Sequence, residues 1–235
     1  MSVKPLVSCL TCTYGRYTWL KEAIQCFLLQ DYDERELIIL NNHPVSINLD
    51  LPKVRVVNEP GHPTLGDCRN RLLKEATGEF VRTWDDDDLY LPWAISQGVE
   101  NIGSSVAFKP KYSWFSRKNS VYLKNENVYE ASWTVRTEAA RRYGYKGKSG
   151  GDEHTQLSIG LEREGFLVKD VRPSYIYRWD TPLWRISGSL GADTVENRTA
   201  IWMKQNDDHG SGEPLVPGFQ KDYFSEIERE ERGKQ

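Results

Sequence analysis

The sequence predicts an α/β fold: a doubly wound, Rossmann-like mixed sheet covered by helices, together with a small antiparallel layer. Two observations predict it. Over residues 6–92, apolar runs typical of strands alternate with segments of helical spacing, in the order β-α-β-β-α-β. The run at 37–40 is short and continuous, as expected for a central parallel strand that is buried on both faces. After residue 92, shorter strand-like pieces rich in aromatic residues predict the second layer.

The elements of the first part follow from apolar spacing and from turn residues. Apolar residues between Trp19 and Leu28 recur at helical spacing, which places one buried stripe along a helix. The run at 37–40 ends in the turn-forming residues 41–44, and Gly78 closes the second helix. In chain order, the predicted elements are a strand at 6–13, a helix through Trp19–Leu28, strands at 37–40 and 54–57, a helix at 65–76 and a strand at 79–84.

The pattern after Pro92 is looser and predicts shorter elements. They are a helix near 92–102, strand-like pieces at 105–109, 112–116, 119–124 and 127–133, a helix at 152–164, strands at 166–168 and 175–177, and a weak helix at 193–204. Residues 206–218 are rich in Gly, Pro and Asp and predict a linker, and the charged residues after them predict an exposed helix or a frayed tail. We therefore expect one domain at 1–205, followed by a linker and tail at 206–235.

Composition excludes several classes of protein. The chain has 235 residues and a net charge of −3, and no apolar run approaches the roughly 18–20 residues that a membrane span needs. The N-terminal residues show no signal peptide, so we expect a cytoplasmic protein. The slight acidity argues against a general electrostatic grip on nucleic acid. Cys9 and Cys12 have CxxC spacing, but a second close pair is missing, which favours core cysteines over a zinc site.

Four consecutive aspartates, Asp85–Asp88, follow the predicted strand at 79–84 directly. Two unit charges about 5 Å apart repel by roughly 3 kcal/mol at an effective dielectric of 20. Such a cluster therefore points into water or holds a cation. Ligands of doubly wound sheets bind beyond the carboxyl ends of the strands, where this cluster lies. Carboxylates there suit Mg²⁺ or Mn²⁺, and a metal-bound diphosphate would explain why they face an anionic ligand.

The stretch 78–92 resembles the signature of the family 2 glycosyltransferases, in which Gly-Glu-Tyr-Ile and three further residues precede Asp-x-Asp-Asp and a Pro. The turn at 13–16 is similar to the Thr-Tyr-Asn-Arg turn of that family, with Gly15 in place of Asn. Residues 36–42 and 68–70 resemble its second strand and the Ala-Arg-Asn of its next helix. The resemblance implies a GT-A fold, with a nucleotide-sugar-binding half at 1–92 and an acceptor half at 93–205.

The resemblance also implies an activity: metal-dependent transfer of a sugar from a nucleotide-diphosphate donor, favoured to be a UDP-sugar, to a hydroxyl acceptor that is a glycan or a small molecule. It implies that Asp85 and Asp87 hold Mn²⁺ or Mg²⁺, which would stabilise the departing diphosphate. Asn41 stands where many relatives have Asp, which leaves the nucleobase open because an amide adds a donor. The implied donor-binding residues are Thr13, Tyr14, Arg16, Asn41, Asn42, Arg69, Asp85 and Asp86.

A general base is implied in a Glu-Asp pair that opens a later helix. Counting back from Leu157 sets Glu153 and His154 on that pair, whereas a shift of one residue sets Asp152 and Glu153 there. We favour a carboxylate base, Glu153 or Asp152, and keep His154 as a base or as a metal or phosphate contact. The departure leaves open whether the reaction inverts or retains the configuration of the sugar.

The segment at 175–188 is rich in aromatic residues and arginine. It is interpreted as a loop that closes over donor or acceptor, with Trp179 and Trp184 stacking and Arg185 near the phosphates; packing of the second layer is the alternative. Two other functions stay open. One is a DNA glycosyltransferase of the phage type, which acts on a hydroxymethylated base in the cytoplasm of a bacterium or of a virus-infected host. The other is a non-catalytic module that binds a nucleotide sugar or a cation.

Overall fold

The computed structural model describes residues 4–117, 120–146, 153–179 and 215–233. The larger sheet consists of β1 Val7–Thr13, β2 Arg35–Asn41, β3 Val54–Asn58, β4 Phe80–Thr83, β6 Ala107–Pro110, β9 Thr134–Arg136 and β10 Phe166–Lys169. The smaller sheet consists of β5 Leu89–Tyr90, β7 Ser113–Arg117, β8 Ser120–Lys124 and β11 Tyr175–Arg178. The helices are α1 Tyr17–Leu28, α2 Leu65–Glu75, α3 Ala94–Ile102, α4 Thr137–Tyr143, α5 Thr155–Glu164 and α6 Tyr223–Arg232, with a 3-10 helix at Glu130–Ser132.

The larger sheet confirms the predicted doubly wound mixed sheet. Its strand order is β10-β6-β9-β4-β1-β2-β3. Strand β1 pairs in parallel with β2 and with β4, whereas β9 runs antiparallel to β4 and β6. The carboxyl ends of β1, β2 and β4 therefore meet at one edge, which brings Thr13, Asn41 and the residues after Thr83 together.

The smaller sheet differs from the predicted antiparallel layer. Its order is β5-β11-β7-β8, and β11 pairs in parallel with β7, while the pairs β5–β11 and β7–β8 are antiparallel. A hairpin accounts for the antiparallel pair β7–β8, but β11 enters this sheet only after β9, α4, α5 and β10. Its direction is therefore set by the path of a long crossover and not by a turn.

Two apolar clusters cover the two faces of the larger sheet. One joins α1, α3, α6 and the smaller sheet and includes Leu20, Ile95 and Trp114. The other joins α2, α4 and α5 and includes Leu72 and Leu161. All four cysteines are free thiols, and Cys9, Cys26 and Cys68 are buried, which agrees with core cysteines. Within the described ranges, no helix is both long and apolar enough to cross a membrane.

The strand predicted at 127–133 was wrong. The chain turns there into a 3-10 helix, because the buried Asn127 side chain donates to Pro110 O and to Ser132 Oγ at 2.9 Å each. Strand β9 and helix α4 follow and were not predicted as separate elements. A short run of apolar and aromatic residues gives the same sequence pattern whether it forms a strand or a buried turn. The conformation here is therefore decided by tertiary hydrogen bonds.

The C-terminal segment is helical, but it is not an exposed or frayed tail. Tyr223 and Ile227 of α6 are buried in the first apolar cluster. The Asp222 side chain caps the helix by accepting from Ser225 N at 3.1 Å, and Gln220 N donates to Glu22 Oε1 at 2.8 Å. The apolar face of this charged helix therefore holds it on the domain. The helix predicted at 193–204 and most of the linker lie outside the described residues.

Candidate active site

The acidic quartet, Asp85–Asp88, begins where β4 ends beside β1. Trp84 N donates to Leu10 O at 2.9 Å, and Thr11 Oγ1 donates to Trp84 O at 2.6 Å. The Trp84 ring is fully buried and stacks on Tyr90 with centroids 3.7 Å apart. Asp85 N donates a hydrogen bond to the Tyr90 hydroxyl oxygen at 2.7 Å and not to a strand of the larger sheet. The chain therefore leaves the sheet at Asp85 in a conformation held by two strands and an aromatic ring.

Arg16 lies in the turn after β1 and binds the middle of the quartet. Its Nη1 donates to Asp87 Oδ2 at 2.9 Å and its Nε to Asp86 Oδ2 at 3.1 Å, while Nη2 pairs with the other oxygen of Asp86. The Asp86 side chain is completely buried, and this burial raises the pKa of Asp86 although Arg16 opposes the rise. The same carboxylates raise the pKa of Arg16, so the guanidinium stays charged.

Arg69, on α2, joins the first aspartate to two glutamates from distant parts of the chain. Its Nη2 lies 3.0 Å from Asp85 Oδ1, and its Nη1 lies 2.9 Å from Glu153 Oε1 and 3.2 Å from Glu130 Oε2. Burial raises the pKa of Asp85 to about 7, because Arg69 offsets the loss of solvation only in part and Asp88 and Asp87 add repulsion. Arg69 thus links the quartet to the start of α5.

The last aspartate of the quartet faces the smaller sheet. Asp88 Oδ1 accepts from Arg178 N at 2.9 Å, and Oδ2 accepts from Tyr175 Oη. The Arg178 side chain is itself buried, donates to Asp87 O at 2.5 Å and pairs with Glu22 of α1. Strand β11 is therefore tied to the quartet by its backbone and by two side chains.

Exposure separates the four aspartates into two kinds. The side chains of Asp86 and Asp88 are buried. By contrast, the side chain of Asp85 is 31% exposed and that of Asp87 is 15% exposed. Six carboxylates pair with three guanidinium groups in the contacts described above, and the Asp88 carboxylate accepts from a backbone N–H and a tyrosine hydroxyl, so carboxylates outnumber guanidinium groups here. The described residues contain no group of three or more His, Cys, Asp or Glu that could hold a metal ion alone. The partly exposed carboxylates of Asp85 and Asp87 fit Mg²⁺ or Mn²⁺, because such an ion can take two protein carboxylates and complete its coordination with phosphate and water oxygens.

Glu153 and His154 lie immediately before α5, next to this network. The Glu153 side chain is 6% exposed and that of His154 is 29% exposed, with Nδ1 of His154 3.9 Å from Oε1 of Glu153, an ion-pair separation. Burial alone would raise the pKa of Glu153, but His154 and Arg69 outweigh it and lower this pKa to about 2. In return, the contact with Glu153 raises the pKa of His154 despite burial and the charge of Arg69.

The model of glycosyl transferase family 2 matches residues 8–159, which include β1, the acidic quartet and the start of α5. The chain belongs to this family. It is 26% identical over 110 residues to "Putative glycosyltransferase EpsH" of Bacillus subtilis (strain 168), a match that covers 43% of this chain and 32% of that protein.

Solved structures show the same fold. S. aureus TarS 1-349 in complex with UDP-GlcNAc has a TM-score of 0.65 and 16% identity over 83% of this chain and 64% of that one. Mannosyltransferase PcManGT from Pyrobaculum calidifontis, in complex with GDP-Man and Mn²⁺, has a TM-score of 0.57 and 15% identity over 75% of this chain and 57% of that one. These likenesses confirm the GT-A fold. The chain spans about a third of EpsH and less than two thirds of the two solved chains.

The side-chain amides of the two asparagines at the end of β2 form hydrogen bonds with other residues of this chain. Asn41 is fully buried; its Nδ2 donates to Val45 O and Asn58 Oδ1 at 2.8 Å each, and its Oδ1 accepts from His43 N. Asn42 Oδ1 accepts from Gly61 N and His62 N. Both residues therefore hold the loops beside the crevice, and their contact with a nucleobase stays a prediction.

The remaining residues implied by the resemblance lie in several parts of the fold, and their roles stay predictions. Thr13 is buried at the end of β1, and Tyr14 packs edge-on against His43 with centroids 4.9 Å apart. Trp179 is 40% exposed beside the smaller sheet. Asp152, Trp184 and Arg185 lie outside the described residues, so their predicted roles are untested by the structure.

Three buried charged residues of the site were missed by sequence reasoning: Glu22, Glu130 and Arg178. Glu130 accepts from Thr83 Oγ1 at 2.5 Å and from Tyr145 Oη at 2.7 Å besides its contact with Arg69. A charged residue inside an apolar run was the available signal for Glu130. Arg178 stood in the segment predicted as a loop, but no local pattern indicates which carboxylate it meets.

Proposed function

We propose that this chain is a metal-dependent glycosyltransferase that moves a sugar from a nucleotide-diphosphate donor, favoured to be a UDP-sugar, to a hydroxyl acceptor. One observation carries the proposal. The acidic quartet lies at the carboxyl ends of β1, β2 and β4, with Asp85 and Asp87 reachable and their neighbours buried. Family membership and the donors bound by TarS and PcManGT support it.

Asp85 and Asp87 are the residues proposed to hold Mn²⁺ or Mg²⁺. When bound, such an ion supplies Lewis-acid stabilisation of the leaving diphosphate. Arg16 and Arg69 hold these two carboxylates in place by ion pairs of 2.9 and 3.0 Å. The buried pairs keep the quartet in one arrangement before donor binds, so little reorganisation is required during the reaction.

The proton of the acceptor hydroxyl is proposed to pass to His154, with Glu153 as its positioning residue. Glu153 is the less suitable base, because its side chain is almost completely buried, is paired with Arg69 and has a pKa of about 2. His154 is more exposed, and the contact with Glu153 raises the pKa of its imidazole. The groups that set this pKa are Glu153, Glu130 and Arg69, and the Trp133 ring lies edge-on to the imidazole.

Nucleotide release tests the proposal. Wild-type protein with Mn²⁺ is expected to release UDP from a UDP-sugar, and Asp87→Asn is expected to lower the rate at least about 100-fold, a typical loss when charge stabilisation is removed. Asp170→Asn is the matched control, because this carboxylate is 68% exposed and lies at the end of β10. Donor binding without release by the wild type would contradict the enzymatic proposal and indicate a binding module.

The pH profile tests the base. If His154 accepts the proton, kcat/KM rises with pH as the imidazole loses its proton. Glu153→Gln removes the charge that raises the pKa of His154, so this limb is expected to move to lower pH. A limb that stays in place in both Glu153→Gln and His154→Gln would contradict the assignment.

A further inference from the structure

A buried ion pair joins helix α1 to strand β11 beside the acidic quartet. Glu22 of α1 is fully buried, and its Oε2 pairs with Nη1 of Arg178, which is also buried. The Arg178 guanidinium lies over the Trp19 ring, 4.6 Å from its centre. Movement of either charge away from the other would leave an uncompensated charge in a medium of low dielectric. The pair therefore holds the Arg178 side chain in one position.

Two other donors of Arg178 bind the end of the quartet. Its Nε donates to Asp87 O at 2.5 Å, and its main-chain N donates to Asp88 Oδ1 at 2.9 Å. Arg16 binds the other end of the same aspartate, with its Nη1 2.9 Å from Asp87 Oδ2. Asp87 is thus held at its carbonyl oxygen by one arginine and at its carboxylate by another.

Helix α1 places both of these arginines. Arg16 is the residue before the helix, and its carbonyl oxygen accepts from Leu20 N at 2.9 Å. Glu22 lies in the second turn of the same helix and binds Arg178. One rigid element therefore sets the separation between the two groups that hold Asp87.

The C-terminal segment contacts the same ion pair. Gln220 N donates to Glu22 Oε1 at 2.8 Å, and Arg178 Nη1 donates to Tyr223 Oη at 3.2 Å. Tyr223 is the first residue of α6 and is buried. We call Glu22, Arg178, Gln220 and Tyr223 the Arg178 cluster. Through it, the C-terminal helix is connected to the main chain of the quartet by side-chain contacts.

We propose that the Arg178 cluster positions Asp87 for binding of Mn²⁺ or Mg²⁺, so that the docked C-terminal helix sets the affinity for the ion. The inference rests on the proposed function, because Asp87 is there a metal ligand. Residues behind a metal ligand orient it, and Mg²⁺ demands nearly ideal octahedral geometry. The four residues of the cluster act through Asp87 and do not contact the ion. They are therefore positioning residues.

The net stability that a buried ion pair provides is small compared with apolar side chains of similar volume. Packing alone is therefore a weak reason to bury Glu22 and Arg178 inside an apolar cluster. Their contacts with Asp87 and with Gln220 instead fix two parts of the chain relative to each other. We assign the pair to the geometry of the site for this reason.

A second ion pair attaches α6 to the domain through different neighbours. Glu231 of α6 pairs with Arg172 at 2.8 Å, and the Arg172 guanidinium lies 3.8 Å from the centre of the Trp93 ring. The Arg172 side chain is 51% exposed. The attachment of α6 and the positioning of Asp87 can therefore be altered separately, by substitutions of the same chemical type.

Titration with Mn²⁺ tests the inference. Full-length protein is titrated with and without UDP, and electron paramagnetic resonance measures the free ion. Glu22→Gln keeps the shape of the side chain but removes the charge that holds Arg178, so it is expected to raise the Kd for Mn²⁺ about 10–100-fold. Glu231→Gln is the matched control, since it removes the same charge from the exposed pair and is expected to change this Kd less than about twofold.

A purely structural role predicts a different result. It would lower the urea midpoint of Glu22→Gln and leave the Mn²⁺ affinity of the folded protein unchanged. Tyr223→Phe keeps the ion pair and decides the question if Glu22→Gln does not fold; loss of its one hydrogen bond is expected to raise the Kd about threefold. Excess Mn²⁺ is expected to restore the rate of UDP release in both variants, because the affinity for the ion is what has changed.

The outcomes separate this inference from the proposed function. Equal Mn²⁺ affinity in the wild type and in the folded variants overturns the inference, whether or not nucleotide is released. A wild type whose Mn²⁺ affinity depends on the cluster but which releases no nucleotide contradicts only the proposed function. A wild type that binds no Mn²⁺, with or without UDP, overturns the inference and the metal site together, and UDP release in EDTA then shows whether the transferase activity remains.

Discussion

The carboxyl edge of the larger sheet and the aromatic face of the smaller sheet, which consists of Phe115, Tyr122, Tyr177 and Trp179, are built from opposite chemistry. At the first, Arg16, Arg69 and Arg178 hold carboxylates in buried ion pairs. At the second, aromatic rings contact one another and two of them reach solvent. The first region holds charge in buried pairs, whereas the second brings uncharged rings to the surface. The comparison shows that one domain can solve the cost of desolvation in two ways, by pairing charges and by exposing rings.

Substitution of a single residue is also expected to cost different amounts of stability in the two regions. Removal of one buried charge leaves its partners unpaired in a medium of low dielectric, which costs more than the loss of one exposed contact. An exposed ring contributes to binding with little effect on the folded state. Substitutions at the charged edge are therefore expected to affect folding and turnover together, whereas those of the exposed rings are expected to leave the stability of the fold almost unchanged.

The largest effect is expected for Arg69→Met. This change leaves Asp85, Glu130 and Glu153 without their shared cation and is expected to lower the free energy of unfolding by about 3–5 kcal/mol. Urea denaturation measures it. Arg55→Met is the control, because Arg55 is 45% exposed in its pair with Glu75 and is expected to cost less than about 1 kcal/mol. Equal losses in the two variants would show that the charged edge is no more sensitive than the surface.

A smaller, pH-dependent effect is expected for Glu153→Gln. The pKa of Glu153 falls from 4.5 to about 2 on folding because His154 and Arg69 outweigh burial. Its carboxylate therefore stabilises the fold above pH 4.5, and this contribution disappears as the pH falls towards 2. We expect a difference of about 2 kcal/mol from wild type at pH 7 that narrows below pH 4.5.

Unfolding curves at several pH values measure this difference. Glu228→Gln, at an exposed position of α6, is the control for the loss of one negative charge. A difference between Glu153→Gln and wild type that stays constant from pH 7 to below pH 4.5 would contradict the assigned pairing with Arg69.

The N-terminal caps of α2 and α6 are expected to contribute equally to the free energy of unfolding. Thr64 accepts from Asp67 N at 3.1 Å to cap α2 beside the charged edge, and Asp222 accepts from Ser225 N at 3.1 Å to cap α6 beneath the smaller sheet. Thr64→Ala and Asp222→Ala are each expected to cost about 1 kcal/mol in thermal or urea unfolding. No loss in Asp222→Ala would indicate that α6 does not contribute to the stability of the domain.

The smallest effect is expected for thiol modification. Burial raises the pKa of Cys9 and of Cys26 to about 12, so their thiolates are scarce at neutral pH. Native protein is expected to leave both cysteines unmodified by iodoacetamide, as measured by peptide mass spectrometry. Protein unfolded in urea serves as the positive control, and modification of native Cys9 would place a solvent path next to β1.

The charged edge could be predicted from the sequence because its parts are local. Polar residues follow two strands of the larger sheet closely, as Arg16 follows β1 and Asp85–Asp88 follow β4. Parallel pairing brings such positions together whatever the details of packing. The positions of Arg16, Arg69 and the quartet were therefore expected. The pairing of Arg69 with Glu130 and the pairing of Arg178 with Glu22 were not expected, because these residues come from elements whose place in the fold no local pattern indicates.

By itself, the sequence determined the order of strands and helices up to the quartet, the edge at which polar residues gather and the family to which the chain belongs. Only the tertiary structure decided that β11 enters the smaller sheet between β5 and β7 and that α6 packs on the core. It also decided that the Asn41 amide donates its hydrogen bonds to Val45 O and Asn58 Oδ1. The physical reason is the range of the interactions. Apolar period and turn residues act over a few positions, whereas a buried charge or a crossover strand finds its partner only when the whole chain is packed.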